Sequence, residues 1–176
     1  HVLPSDRSVR EGAWNRLMGL LVRDMTIGIV GVGRIGKLVI ELLQPFNPNL
    51  LVCDINPDIE FGERYKLKWC EKEEIFEKSD IVTLHIPGSN NNFQYLNRPT
   101  ISKMKTGASI INTSRGVVVD ENALCDALVQ KHLSGAALDV LVNEPYDGQL
   151  TNLDNVVMTA HMAASAKGSR YLMELG

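Results

Sequence analysis

Six residues that can do chemistry recur at one kind of place. Asp54, His85, Arg115, Asp139, Glu144 and His161 each follow, within a few residues, a short apolar run that reads as a strand. Arg115 carries five donors in a rigid fork, suited to a carboxylate and a polarised carbonyl. A histidine such as His161 can exchange a proton with a hydroxyl near neutral pH. A carboxylate held against it would fix its orientation. Each residue alone has a plainer reading: Arg115 as a surface ion pair, Glu144 before Pro145 as an exposed turn residue, Asp139 as a turn cap, and His85 and His161 as hydrogen-bonded structural histidines. Their shared position carries the functional reading, because in a parallel sheet all strand ends face one edge and ligands bind outside it.

The elements that would position them begin with MTIGIVGVGRIGKLVIELLQPFNPNLLVCD, residues 25–54. Met25 to Val30 suits a fully buried parallel strand. Gly31, Gly33 and Gly36 follow in G-x-G-x-x-G spacing, and Ile35, Leu38, Val39, Leu42 and Leu43 then recur at helical spacing until Pro45 and Pro48. Leu50 to Cys53 reads as a second buried strand, with Asp54 just past its end. In a dinucleotide site the first glycine permits the tight turn, the second lets the backbone approach a pyrophosphate, and the third lets helix and strand pack closely. The helix N-terminus favours the anion. Asp54 would accept from the ribose hydroxyls and repel a 2′-phosphate, which favours NAD over NADP. Together with the strand-end residues, this supports hydride transfer between NAD and a 2-hydroxy acid, with His161 as acid/base.

Farther along, residues 55–64 read as a polar loop, Lys66 to Trp69 as an edge-type strand, and Glu71 to Ser79 as a short solvated helix. Asp80 to Leu84 is the next strand, and the Asn-rich stretch from Gly88 to Thr100 reads as a long loop. Ala108 to Ile111, Gly135 to Leu138 and Asn155 to Met158 complete the strands, and Asp120 caps a helix carrying Leu124, Ala127 and Leu128. Alternating strands and helices predict an α/β, Rossmann-type, doubly wound parallel sheet with helices on both faces. Residues 1–24 read as an arm with some helix, packed on a partner subunit, or else as a linker. Val9, Trp14, Leu17, Leu20 and Leu21 would form its broken apolar face.

The formal net charge of −3, without a basic cluster, argues against a nucleic-acid partner. No apolar stretch reaches membrane-spanning length and no N-terminal signal pattern is present. Cys53, Cys70 and Cys125 are odd in number and form no C-x-x-C pair, as expected of apolar fillers in a reducing cytoplasm. No metal is expected.

From about Arg10 to about Ser165 the sequence resembles the D-isomer-specific 2-hydroxyacid dehydrogenases, a family that includes formate, glycerate, D-lactate and D-3-phosphoglycerate dehydrogenases. The strongest stretch is MKTGASIINTSRGVVVDENALCDALVQKHLSGAALDVLVNEP, residues 104–145. The resemblance implies that Arg115 in N-T-S-R-G binds the substrate carboxylate or carbonyl. It likewise makes His161 the acid/base and Glu144 the residue that holds its imidazole. It places pyrophosphate contacts on Arg34 and Ile35, the ribose acid at Asp54, and nicotinamide contacts on Thr113, Arg115 and Asp139. His85, Ile86 and Pro87 match an H-x-P beside the cofactor, and Ser114, Ala163 and Ala164 complete the expected cofactor set.

Departures from the family are Pro87-Gly88-Ser89 for P-L-T and Asn92 for a threonine, which predict a looser cofactor-facing loop. Ala160 replaces the proline before the histidine, and Met162-Ala163-Ala164 replaces small residues that are often glycines. Family members also have a flavodoxin-like substrate domain made from both chain ends. The expected division is therefore an arm over 1–24, able to join a homodimer, and an NAD-binding domain over 25–165. A C-terminal helix would start at 166–176 and lead to a substrate domain absent here. Such a piece would bind NAD with little turnover of a 2-hydroxy or 2-keto acid. The alternative is a non-enzymatic, NAD-responsive interaction module of corepressor type.

Overall fold

A computed structural model describes residues 2–166. The helix expected over 166–176 lies, after its first residue, outside the described residues. Seven strands form one sheet: β1 Thr26–Val30, β2 Asn49–Cys53, β3 Lys68–Trp69, β4 Ile81–Leu84, β5 Ala108–Asn112, β6 Leu133–Leu138 and β7 Val156–Met158. All neighbours pair in parallel, in the order β3-β2-β1-β4-β5-β6-β7. The helices are α1 Val2–Arg10, α2 Arg34–Leu43, α3 Ile59–Arg64, α4 Lys72–Lys78, α5 Arg98–Ser102 and α6 Glu121–Val129.

Alternation along β1 shows why the sheet is covered on both sides. Ile27 and Ile29 join one buried cluster with Ile40 of α2, Val52 and Phe61. Val30 joins another with Leu51, Leu84, Ile75 and Phe76, which extends to Leu124 and Leu128 of α6. Successive residues of a strand point to opposite faces, so the expected doubly wound fold is present. Strand order turns outward in opposite directions from β1 and β4, which opens a crevice at their carboxyl ends.

The reading as polar loop at 55–64 is corrected by α3. Asp58 caps that helix by accepting from Phe61 N–H at 3.0 Å, and Phe61 supplies a buried anchor. Likewise α5 begins inside the stretch expected as a long loop and runs past its end, started by Asn97, which accepts from Thr100 N–H at 3.1 Å. The helix predicted around Glu71–Ser79 is α4, and it buries Ile75 and Phe76. In the arm, α1 ends at Arg10 and buries no residue. Trp14 is 79% exposed, and Leu17, Leu20 and Leu21 are exposed on irregular chain, so of the expected apolar face only Val9 lies on a helix.

Candidate active site

The glycine turn links β1 to α2. Gly31 has φ +92°, a conformation costly for residues with a Cβ, and its N–H donates to the Cys53 carbonyl at 2.8 Å. A Cβ there would come within 2.5 Å of the His85 carbonyl oxygen, which presses the turn against the loop after β4. A Cβ on Gly36 would collide with the Gly31 carbonyl. Gly33 differs, because nothing lies within 4 Å of its missing side chain. It begins α2 with no side-chain cap, and Arg34 and Ile35 follow it exposed, so the first N–H groups of the helix are left without a side-chain partner.

Asp54 ties the turn to the end of β2. Its Oδ2 accepts from Val32 N–H at 2.6 Å and its Oδ1 from Asn56 N–H at 2.8 Å. Each carboxylate oxygen keeps a second acceptor direction. Lys37 of α2 donates to Asp58 Oδ2 at 2.5 Å, and this contact holds the Asp58 carboxyl below the usual range. On the other side, His85 is half-buried with Nε2 3.1 Å from Thr83 Oγ1, and burial pushes its imidazole pKa down. Ile86 packs beside Gly31, while Pro87 is exposed. An uncapped helix end, an open glycine and an acid with spare acceptor sites fit a dinucleotide.

The second group of residues follows β5, β6 and β7, three adjacent strands. Glu144 Oε2 lies 2.9 Å from His161 Nδ1, and Glu144 Oε1 accepts from Leu141 N–H at 3.0 Å. These two partners, the backbone N–H first, hold the Glu144 carboxyl below its usual range. An ionised carboxylate only accepts, so Nδ1 carries the proton and Nε2 is left to exchange one. Asp139 is 6% exposed and belongs to the turn that presents the histidine. Its Oδ1 accepts from Met162 N–H at 2.9 Å and from the Thr159 hydroxyl, and its Oδ2 accepts from Ala163 N–H at 2.9 Å. Its own carbonyl accepts from His161 N–H at 2.9 Å, while His161 is held at φ +48°. Burial raises the Asp139 carboxyl, but the three donors outweigh it and leave the pKa lowered.

Arg115 is placed by its backbone. The buried Asn112 donates to the Arg115 carbonyl at 2.9 Å and accepts from Ser114 N–H at 3.0 Å and Ser114 Oγ at 2.8 Å. Arg115 itself is exposed, with Nη1 donating to the Ser114 carbonyl at 2.6 Å. Thr113 and Ala164 are also exposed at this edge. Among the described residues no hydrogen bond joins Arg115 to Glu144 or His161. The loop expected to be loose is closed by Asn92, whose Nδ2 donates to the Pro87 carbonyl at 2.9 Å.

Glu144, His161 and Asp139 line a cleft of about 490 Å³ with Leu141, Tyr146 and Met158. A smaller cavity of about 260 Å³, bounded by Arg98, Asp126 and His132 between α5 and α6, shares none of these residues. Sequence reasoning assigned no part to Asn112, Thr159 or Val32. Asn112 and Thr159 do directly adjoin predicted strands, and that position was the available signal. Among the described residues no cluster of His, Cys, Asp or Glu could hold a metal ion, and no helix is long and apolar enough to cross a membrane.

With this geometry in place, comparison with known proteins is decisive. The family model of the D-isomer specific 2-hydroxyacid dehydrogenase, NAD binding domain, matches residues 1–163. The chain belongs to this family. It is 36% identical over 167 residues to a D-3-phosphoglycerate dehydrogenase of Archaeoglobus fulgidus, covering 93% of this chain and 32% of that protein. It is 36% identical over 180 residues to a glyoxylate reductase of Korarchaeum cryptofilum, covering 98% of this chain and 54% of that one. The solved structure of a D-lactate dehydrogenase with NAD+ from Lactobacillus jensenii superposes with a TM-score of 0.88 at 26% identity, covering 99% of this chain and 58% of that one. The chain thus spans about half, or less, of these family members' length, and the part it matches is their NAD-binding domain.

Proposed function

We propose that this domain carries NAD for hydride transfer between a D-2-hydroxy acid and its 2-keto partner, in a protein whose second domain closes the cleft. The carrying observation is the Glu144–His161 pair, 2.9 Å apart at the same sheet edge as the open start of α2. Bound NAD supplies the carbon that takes or gives the hydride. His161 Nε2 takes the hydroxyl proton on oxidation and returns it on reduction, while Glu144 keeps the ring oriented. Arg115 binds the substrate carboxylate, its fork matching two oxygens. Gly31, Gly33, Arg34, Ile35 and Gly36 receive the pyrophosphate. Asp54 binds the ribose and selects NAD over NADP. Thr113, Ser114, Asp139, Ala163, Ala164 and the His85–Pro87 segment border the nicotinamide. The exposed apolar arm serves a homodimer, and the three free thiols fit a reducing cytoplasm.

A calorimetric titration of the chain is expected to show NAD binding with NADP at least about tenfold weaker. Equal affinities remove the role given to Asp54. The chain alone is expected not to turn over 2-hydroxy acids, and detectable turnover would show that no second wall is needed. In the full-length protein, His161→Ala should lower kcat about 10²- to 10⁴-fold while leaving NAD affinity unchanged. Unchanged turnover would sink the acid/base assignment.

A further inference from the structure

Gly88 stands beside Arg115 with no room for a side chain. A Cβ built on it would lie 2.9 Å from Arg115 Cγ, 3.0 Å from Arg115 Cβ and 3.1 Å from Val117 Cγ2. Packed carbons do not come so close, so one side would have to move. The backbone of Gly88 is not in the left-handed region, so its dihedrals do not call for glycine. Space is the remaining reason for it.

Neither backbone is free to retreat. Asn112 holds the Arg115 carbonyl at 2.9 Å, and a Cβ on Gly116 would collide with the Leu141 carbonyl, so the arginine's main chain is fixed on both sides. Behind Gly88, Asn92 grips the Pro87 carbonyl at 2.9 Å. Gln94 and Leu96 then donate to the carbonyls of Val117 and Val118, which pins the loop to the segment just after Arg115. That leaves the side chains of Arg115 and Val117 to yield; the arginine is the closer of the two, and its guanidinium is folded back onto Ser114.

We infer that Gly88 is a positioning residue for Arg115, leaving the slot in which the arginine's stem lies and so setting where its guanidinium points. The inference rests on the reading of Arg115 as the substrate-binding group, but its test does not require turnover. Gly88→Ala and Gly88→Val variants of this chain are labelled with phenylglyoxal, which attacks guanidinium groups, and rates are mapped residue by residue by mass spectrometry. Arg115 should label about threefold faster or more than in the parent, as the displaced stem breaks the Ser114 contact, with Arg34 and Arg98 unchanged. Arg115 rates within about twofold of the parent in both variants overturn the inference.

A double-mutant cycle keeps the test open if the variants fold poorly. The stability lost on Gly88→Ala should shrink in an Arg115→Ala background, where the nearest contact, Cγ, is gone and the stub that keeps Cβ has no long stem to displace. An equal loss in both backgrounds also overturns the inference. Failure of the functional reading would show separately, as unchanged turnover in His161→Ala.

Discussion

Around β1 and β2 the working edge is shaped by glycines and backbone contacts, whereas beyond β5 it is shaped by polar side chains that are already partnered. Gly33 has open space around it, and the first N–H groups of α2 have no side-chain cap. Asp139, Glu144 and Asn112 instead accept or donate in several directions at once, and among the described residues His161 Nε2 is left without a partner while Arg115 Nη1 donates to the Ser114 carbonyl. A carrier site can be mostly main chain because a diphosphate asks only for N–H groups and space. An acid/base site needs one imidazole in one tautomer and orientation, which only neighbouring side chains can impose.

Substitutions should therefore injure the two regions in different ways. The largest effect is expected from Gly36→Ala, whose Cβ would strike the Gly31 carbonyl. Overpacking against backbone should cost about 3 kcal/mol or more, offset by about 1 kcal/mol of improved helix propensity. Urea unfolding should show the loss, and calorimetry should show NAD binding falling with it. Parent-like stability would mean the turn is softer than its contacts imply.

Asp139→Ala attacks the other region by orphaning the Thr159, Met162 and Ala163 donors. A loss of about 1–3 kcal/mol is expected in urea unfolding, with NAD affinity affected less than in Gly36→Ala. If NAD affinity instead falls while stability holds, Asp139 belongs to the carrier side of the comparison.

The smallest effect is a pH dependence centred on His85, which lies between the two regions. Burial lowers its folded pKa. Its contribution to stability is therefore complete at neutral pH and is lost as pH falls below the unfolded value of about 6.5, where the unfolded chain takes the proton first. The slope cannot exceed about 1.4 kcal/mol per pH unit for one proton. Urea unfolding at mildly acid pH should show a slope that His85→Gln flattens. An unchanged slope would assign the acid sensitivity elsewhere.

Much of the fold is legible in the sequence. The run TIGIV is apolar on both faces because helices cover both, the pattern expected of a buried parallel strand. The overlooked helices α3 and α5 are six and five residues long, too short for a period to show. Their signals were single caps, Asp58 and Asn97, embedded in polar stretches. At the site, residue types at strand ends located the groups that could react. They could not show that Asp139 spends both oxygens on its own turn, because that depends on where Met162 and Ala163 return in space. Nor could residue types at Gly88 and Asn92 show that the arginine stem lies against the glycine and that the asparagine bonds back to Pro87.

Asp54 grips Val32, and Gly31 grips Cys53, through bonds made entirely within the protein. A turn already ordered by its own bonds surrenders little freedom when an anion settles on it, so the entropic cost of association falls mainly on the incoming molecule. Its heat-capacity change should then track the surface the ligand covers, with no added contribution from a loop folding around it. A protein built on this chain could release and recapture its carrier every cycle without rebuilding the place where it lands.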